Sequence, residues 1–288
     1  MKVARDVTEL EPARRAVAIG TFDGVHRGHR AAIEIAIEAG LRSTVVTFDP
    51  HPRRVLGYEV ELLTTLDRRL ELIAEVGPDE TLVLEFTPEL SQLDPEDFVA
   101  AVLVPLGAEV VVAAEAFRFG KGRAGDVELL QKLGFEVQLV PEVEGVSSSR
   151  IRDLLKEGDV ARAARLLGRP HEVEGPVVFG DQRGGTLGFP TANIAPDSGL
   201  LVPAYGIYAG SALGFRAAAS IGVNPHYGGS ERRVEAFLLD FDGDLYGTRL
   251  RLELWDRLRD EQAFGSEEEL VAQITADVEA ARAATRPS

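Results

Sequence analysis

Short, largely apolar runs alternate with amphipathic stretches through the first half of the chain. Residues 17–19, 44–48, 81–86, 110–113 and 137–140 read as buried strands, because a strand covered on both faces carries no polar alternation. Between them, residues 30–39, 67–75, 95–104 and 127–133 place apolar side chains at helical spacing. Strand and helix in alternation predict an α/β fold on a parallel sheet. Ligands of such sheets bind beyond the carboxyl ends of the strands. The run Ser147-Ser148-Ser149 then precedes two helical pieces, 151–155 and 161–167, split by Gly158-Asp159. Serines in such a run are strong helix N-caps.

After Gly168-Arg169-Pro170 the pattern changes. Short β-type runs at 171–179, 207–213, 215–221, 234–239 and 249–255 follow one another with glycine-rich turns between them. That spacing predicts a small antiparallel β-barrel. A last amphipathic helix, 267–283, starts behind Ser266 as its cap. Two domains are expected, 1–168 and 169–288.

Composition narrows the setting. Apolar residues make up 45% and charged residues 27% of the chain, the balance of a soluble globular protein with ample core. The lack of cysteine removes disulfides, thiolate nucleophiles and cysteine-ligated metals, and it fits a reducing compartment. No long apolar segment follows Met1-Lys2-Val3-Ala4-Arg5-Asp6, so neither a signal peptide nor a membrane span is expected, and the cytoplasm is. A net charge of −16 argues against a nucleic-acid or anionic-membrane surface, since both need a basic footprint. A small polyanionic substrate needs only a local cluster of cations. Arg118, Lys121 and Arg123 form one such cluster, and Arg150 with Arg152 another. Self-association is left open.

The chemistry gathers first at Gly20-Thr21-Phe22-Asp23-Gly24-Val25-His26-Arg27-Gly28-His29. An apolar strand feeds a Gly-rich turn with two histidines three residues apart, and a helix opens behind it. A helix start gathers unpaired N–H groups and the positive end of a dipole. We read the loop as the phosphate-handling corner of a nucleotidyltransferase. Its bland alternative is an ordinary capped turn, since a lone Gly-rich loop is weak evidence.

With Thr47-Phe48-Asp49-Pro50-His51-Pro52, Phe117-Arg118-Phe119-Gly120 and Ser147-Ser148-Ser149-Arg150-Ile151-Arg152, the first half resembles the first domain of bacterial bifunctional riboflavin kinase/FAD synthetases. The second half resembles their kinase domain, through Gly184-Gly185-Thr186-Leu187-Gly188-Phe189-Pro190-Thr191-Ala192-Asn193 and through the segment from Val234-Glu235-Ala236 to Asp242-Gly243-Asp244. The resemblance runs almost end to end. It implies a Rossmann-like nucleotidyltransferase domain, a kinase barrel, and two reactions: riboflavin plus ATP to FMN, then FMN plus ATP to FAD and pyrophosphate.

By the same resemblance, His26, His29 and Arg150 serve adenylyl transfer, which needs in-line positioning and charge neutralisation rather than a base. Gly20, Phe22, Asp23, Gly24, Gly28, Ser147, Ser148, Ser149 and Arg152 would hold nucleotide phosphates, and Phe48, Pro50, Phe117 and Arg118 the flavin. In the kinase the nucleophile is a neutral hydroxyl, so a carboxylate base is useful. Glu235 lies in an otherwise apolar run, where an unpaired carboxylate is costly, and the resemblance makes it that base. An outward-facing strand residue is its alternative. Thr191 and Asn193 would help to hold Mg²⁺ and the ATP phosphates, with Pro190 stiffening the approach. Gly180, Gly184, Gly185 and Gly188 would let the backbone come close to phosphate. Asp240–Asp244 reads as a hairpin turn rather than a metal site.

Several positions depart from the family pattern. Ala116 stands where Asp or Asn is usual, Ala114 for Gly, Ser149 for Thr, Gly185 for Arg, His226 for Thr and Phe237 for His. Loss of a polar partner at Ala116 predicts a raised FMN requirement. The residues also admit a kinase with a silent first domain, a non-catalytic flavin or nucleotide sensor, or another nucleotidyltransferase.

Overall fold

The apolar runs of the first half form a six-stranded sheet in the order β1-β4-β3-β2-β5-β6. Its strands are β1 (Lys2–Ala4), β2 (Arg15–Ile19), β3 (Arg42–Asp49), β4 (Glu80–Glu85), β5 (Ala108–Ala113) and β6 (Glu136–Leu139). Every neighbouring pair is parallel. From β2 the chain lays β3 and β4 to one side, then returns to place β5 and β6 on the other. The loops after β2 and β5 therefore leave from adjacent strands at the point where the order reverses, where a crevice opens in such sheets.

Alternate residues of β2 explain why both faces are covered. Ala16 and Ala18 pack with Ile33 and Ala36 of α1 (Arg27–Glu38) and with Leu72 and Ile73 of a later helix. Val17 and Ile19 pack on the other face with Phe98, Val102 and Leu106. The short helix α2 (Pro52–Val55) precedes that later helix, α3 (Leu66–Val76), and α4 (Pro88–Ser91) follows. The stretch expected as one helix over 95–104 is three pieces: α5 (Pro95–Phe98), a π-turn at Val99–Leu103 and α6 (Val104–Leu106). Pro105 has no N–H for the carbonyl four residues back, so the helix widens ahead of it. Helix α7 (Val127–Lys132) leads into β6.

The computed structural model describes residues 1–141, 143–180, 187–223 and 232–287. They divide into two compact units, Met1–Val60 with Thr64–Val146, and Glu61–Leu63 with Ser147–Ser288. The second unit begins with α8 (Ser148–Glu157) and α9 (Val160–Leu167), ahead of the pattern change at Gly168. Ile151, Leu154, Val160 and Leu167 share one buried cluster with Val173, Leu250 and Leu252 of the barrel, which is why these helices go with it.

The barrel is closed, in the order β10-β11-β8-β7-β12-β9. Its strands are β7 (His171–Val178), β8 (Ala192–Ile194), β9 (Gly206–Ala212), β10 (Phe215–Val223), β11 (Arg232–Leu238) and β12 (Arg249–Arg259). All the pairings are antiparallel. The segment holding Asp240, Asp242 and Asp244 is no hairpin, because β11 and β12 are not neighbours; β8 and β7 lie between them. Helix α10 (Glu267–Ala283) is capped by Ser266, whose hydroxyl accepts the Glu269 N–H at 3.2 Å.

Candidate functional site

In the first unit, β2 is buried along its whole length and delivers Gly20 to the carboxyl edge of the sheet. The loop beyond it is strained. Phe22 has φ +50°, Gly24 +84° and Val25 +39°, so two side-chain-bearing residues, one of them β-branched, sit in the left-handed region. Asp23 holds this shape from inside. It is 1% exposed, and its carboxylate accepts the Thr64 N–H at 3.2 Å while the Thr64 hydroxyl accepts the Gly24 N–H at 3.1 Å. The structure thus places Asp23 within the loop's own scaffold rather than on its rim.

His26 is the N-cap of α1, and its Nδ1 accepts the His29 N–H at 3.2 Å. In a neutral ring that bond leaves the proton on Nε2. The two imidazoles stack, with centroids 3.6 Å apart and planes 14° from parallel, and Phe22 tilts against His29 at 5.1 Å. A side chain on Gly28 would press on the His26 ring at 3.4 Å. The arrangement presents two imidazoles and a helix N-terminus together, the donor set a polyphosphate takes.

Phe48, Pro50, Phe117 and Arg118 leave from β3 and β5, the strands on either side of β2. Phe48 meets Phe86 edge-on at 5.6 Å. Phe117 stacks on Phe119, and Arg118 bonds the Phe117 carbonyl at 2.8 Å from an exposed position. Ala114 and Ala116 are exposed in the turn after β5. Sequence reasoning passed over His51, which caps α2 through Nδ1, and Arg69 of α3. Arg69 is an arginine on the same helical stripe as the buried Leu72 and Ile73, a signal that the periodicity carried.

In the second unit, the Ser147 hydroxyl caps α8 by accepting the Arg150 N–H at 3.1 Å. Ser148 and Ser149 form the first turn, and Arg150 is partly buried there. Arg152 is directed to the Glu61 carbonyl at 2.7 Å.

The kinase residues meet across β7, β8 and β11. Asn193 stands in register with Val178 on one side and Glu235 on the other. Glu235 faces outward on β11, where Val234, Ala236 and Leu238 point into the core. It is ion-paired with Arg233, two residues back on the same face, and Arg233 Nε also donates to Asn193 Oδ1 at 3.0 Å. The carboxylate is thus a partnered group at the barrel surface rather than an unpaired one in an apolar run. An added Cβ on Gly180 would overlap the Asn193 amide, so glycine there makes room for that side chain. Thr191 and Pro190 line a cavity of about 170 Å³, walled by Val177, Leu238, Phe241 and the 242–246 segment. Phe179 stacks on Tyr246, another lining residue, at 4.1 Å. Gly188, at φ +87°, lies on the turn before Pro190.

Thr191 and Asn193 carry hard neutral oxygens, the donor type Mg²⁺ takes, and Asn193 Oδ1 accepts from Arg233 Nε. In donor type, though in nothing more, these two residues suit the ion. Among the described residues, no group of three or more His, Cys, Asp or Glu is placed to hold a metal. Gly184, Gly185, Thr186 and His226 lie outside the described residues.

Residues 8–152 match the family model of FAD synthetase, and residues 167–285 that of riboflavin kinase. A bifunctional riboflavin kinase/FMN adenylyltransferase of Listeria monocytogenes is 38% identical over 297 residues, covering 96% of this chain and 94% of its own. The Escherichia coli K12 protein of the same description is 36% identical over 305 residues, covering 98% and 97%. Among solved structures, a macrolide-efflux protein from Streptococcus pneumoniae matches with a TM-score of 0.89 at 31% identity over 98% of both chains. Among the described residues, no helix here is long and apolar enough to cross a membrane.

Proposed function

The chain belongs to the bifunctional riboflavin kinase/FMN adenylyltransferase family, and from that premise we propose that it makes FAD in two steps. Riboflavin and ATP give FMN and ADP in the barrel. FMN and a second ATP then give FAD and pyrophosphate at the carboxyl edge of the parallel sheet. The observation that carries the second assignment is the stacked His26–His29 pair on the N-terminus of α1.

In adenylyl transfer the FMN phosphate is already an anionic nucleophile. Work remains at the α-phosphate and at the leaving pyrophosphate, where charge develops. His26 Nε2–H, His29 and the first N–H groups of α1 offset that charge. Phe48, Pro50 and Phe117 hold the flavin on the neighbouring strands. In the kinase step Glu235 takes the proton of the ribityl hydroxyl; Arg233 holds its carboxylate and is itself held by Asn193 Oδ1. Apolar walls at Val177, Leu238 and Phe241 receive the adenine, and Thr191 faces the phosphates. Thr191 and Asn193 would hold Mg²⁺, which would supply charge neutralisation on the ATP phosphates. The cysteine-free composition and the ATP requirement support a cytoplasmic enzyme.

The test is a chromatographic time course with riboflavin, ATP and MgCl₂. FMN rises first and then converts to FAD. Accumulation of FMN with no FAD, even when FMN is supplied in excess, leaves a kinase alone.

A further inference from the structure

We propose that Arg69 is a positioning residue for adenylyl transfer, fixing the distance between the histidine loop and the flavin-side end of β3. The proposal rests on assigning that reaction to this edge of the sheet.

Arg69 is 4% exposed in the middle of α3. A guanidinium there is expensive, and burial pulls its pKa down, with the charges of Asp23 and Asp49 opposing the shift. A leucine on the same stripe would pack at less cost, so stability alone does not explain the residue. Its hydrogen bonds do. Nη1 donates to the Thr21 carbonyl at 2.8 Å, and Nη2 to the Phe48 carbonyl at 3.1 Å. One acceptor begins the loop that carries His26 and His29. The other lies at the end of the adjacent strand, next to Asp49-Pro50. The planar fork sets both carbonyls in one rigid frame, which the single ammonium of lysine cannot reproduce. The Thr47 hydroxyl donates to the same Thr21 carbonyl at 3.0 Å, so this junction is held twice.

Charge gives a second reason. Asp49 Oδ1 lies 4.0 Å from Arg69 Nη2 and is half-exposed. Arg69 thus sets a positive charge against both Asp23 and Asp49 at the edge of a site proposed for phosphates. These contacts are all to the protein itself. Arg69 acts through the two loops, and a displacement of about 1 Å between reacting groups costs roughly a hundredfold in rate.

The test is Arg69→Lys in the full chain, assayed well below its unfolding temperature. Riboflavin phosphorylation by the same chain serves as an internal control. The expected result is a fall in kcat for FAD formation of roughly ten- to a hundredfold, with KM for FMN and for ATP within about threefold and the kinase unchanged. Thr47→Val removes only the second donor to Thr21, and a smaller loss of the same kind, roughly threefold, is expected. This second variant decides the matter if Arg69→Lys does not fold. Unchanged kcat overturns the proposal, as does a rise in KM with kcat intact, which would make Arg69 a substrate contact. A wild-type chain that forms no FAD from FMN is a different failure: it removes the adenylyltransferase reading itself, and the proposal with it.

Discussion

His26 combines a structural bond with a proposed chemical one, because Nδ1 caps α1 while the rest of the ring stacks on His29. The two roles separate by substitution. Asn caps a helix as well as any residue, whereas Ala forfeits about 1 kcal/mol. His26→Asn is therefore expected to melt within a few degrees of wild type yet lose FAD formation by a hundredfold or more. His26→Ala loses both. Thermal melts read beside FMN-dependent turnover check this, and an active His26→Asn enzyme would leave the ring with a capping role only. Ala116 is the converse case, a position where a group is missing. It is exposed in the turn after β5, so a restored side chain has room. One added hydrogen bond to the flavin is worth about 0.5–1.5 kcal/mol, and Ala116→Asn is expected to lower KM for FMN by roughly two- to tenfold. A KM that does not move would separate this turn from the flavin.

At the scale of elements, the kinase residues depend on register. Gly180 after β7, Asn193 on β8 and Glu235 on β11 come together only because three antiparallel strands align them. Gly180→Ala forces its methyl into the Asn193 amide. The expected outcome is loss of most riboflavin phosphorylation while FAD formation from supplied FMN continues. Kinase activity at the wild-type level in that variant would show that Asn193 can move without consequence. The sequence carried much of this scale. Apolar runs marked five of the six parallel strands, though the edge strand β6 is not buried as expected, and Ser147 and Ser266 marked two helix starts correctly. What it withheld was short or non-local. Strands β1 and β8 have three residues each, too few to show a period. The Asp240–Asp244 segment looked like a hairpin because neither of its flanks reveals which strands stand between them. Arg233 lies two residues from Glu235, a spacing that puts both on one face of a strand, and the alternation alone would have paired them.

For the whole molecule, the question is whether FMN must stay on the chain that made it. The product of the kinase is a small, soluble phosphate ester, and nothing in the proposed chemistry binds it covalently. Two chains, each lacking one of the two activities, then offer a direct answer. His29→Ala retains the kinase, and Glu235→Gln retains the adenylyltransferase but lacks a base worth roughly 10²–10⁴ in rate. Alone with riboflavin and ATP, the first accumulates FMN and the second makes almost nothing. Mixed in equal amounts, they are expected to form FAD after a lag, while FMN builds up in solution toward the KM of the second chain. The lag shortens as both chains are concentrated, because FMN accumulates faster. If the His29→Ala chain stops after about one FMN per protein and the mixture forms no FAD, although the second chain converts added FMN, then FMN is passed on without release. A mixture that forms FAD with no lag would point to direct association of the two variants. The same mixture with Ala116→Asn added to the Glu235→Gln chain should shorten the lag, since a lower KM for FMN lets the second step begin at a smaller pool.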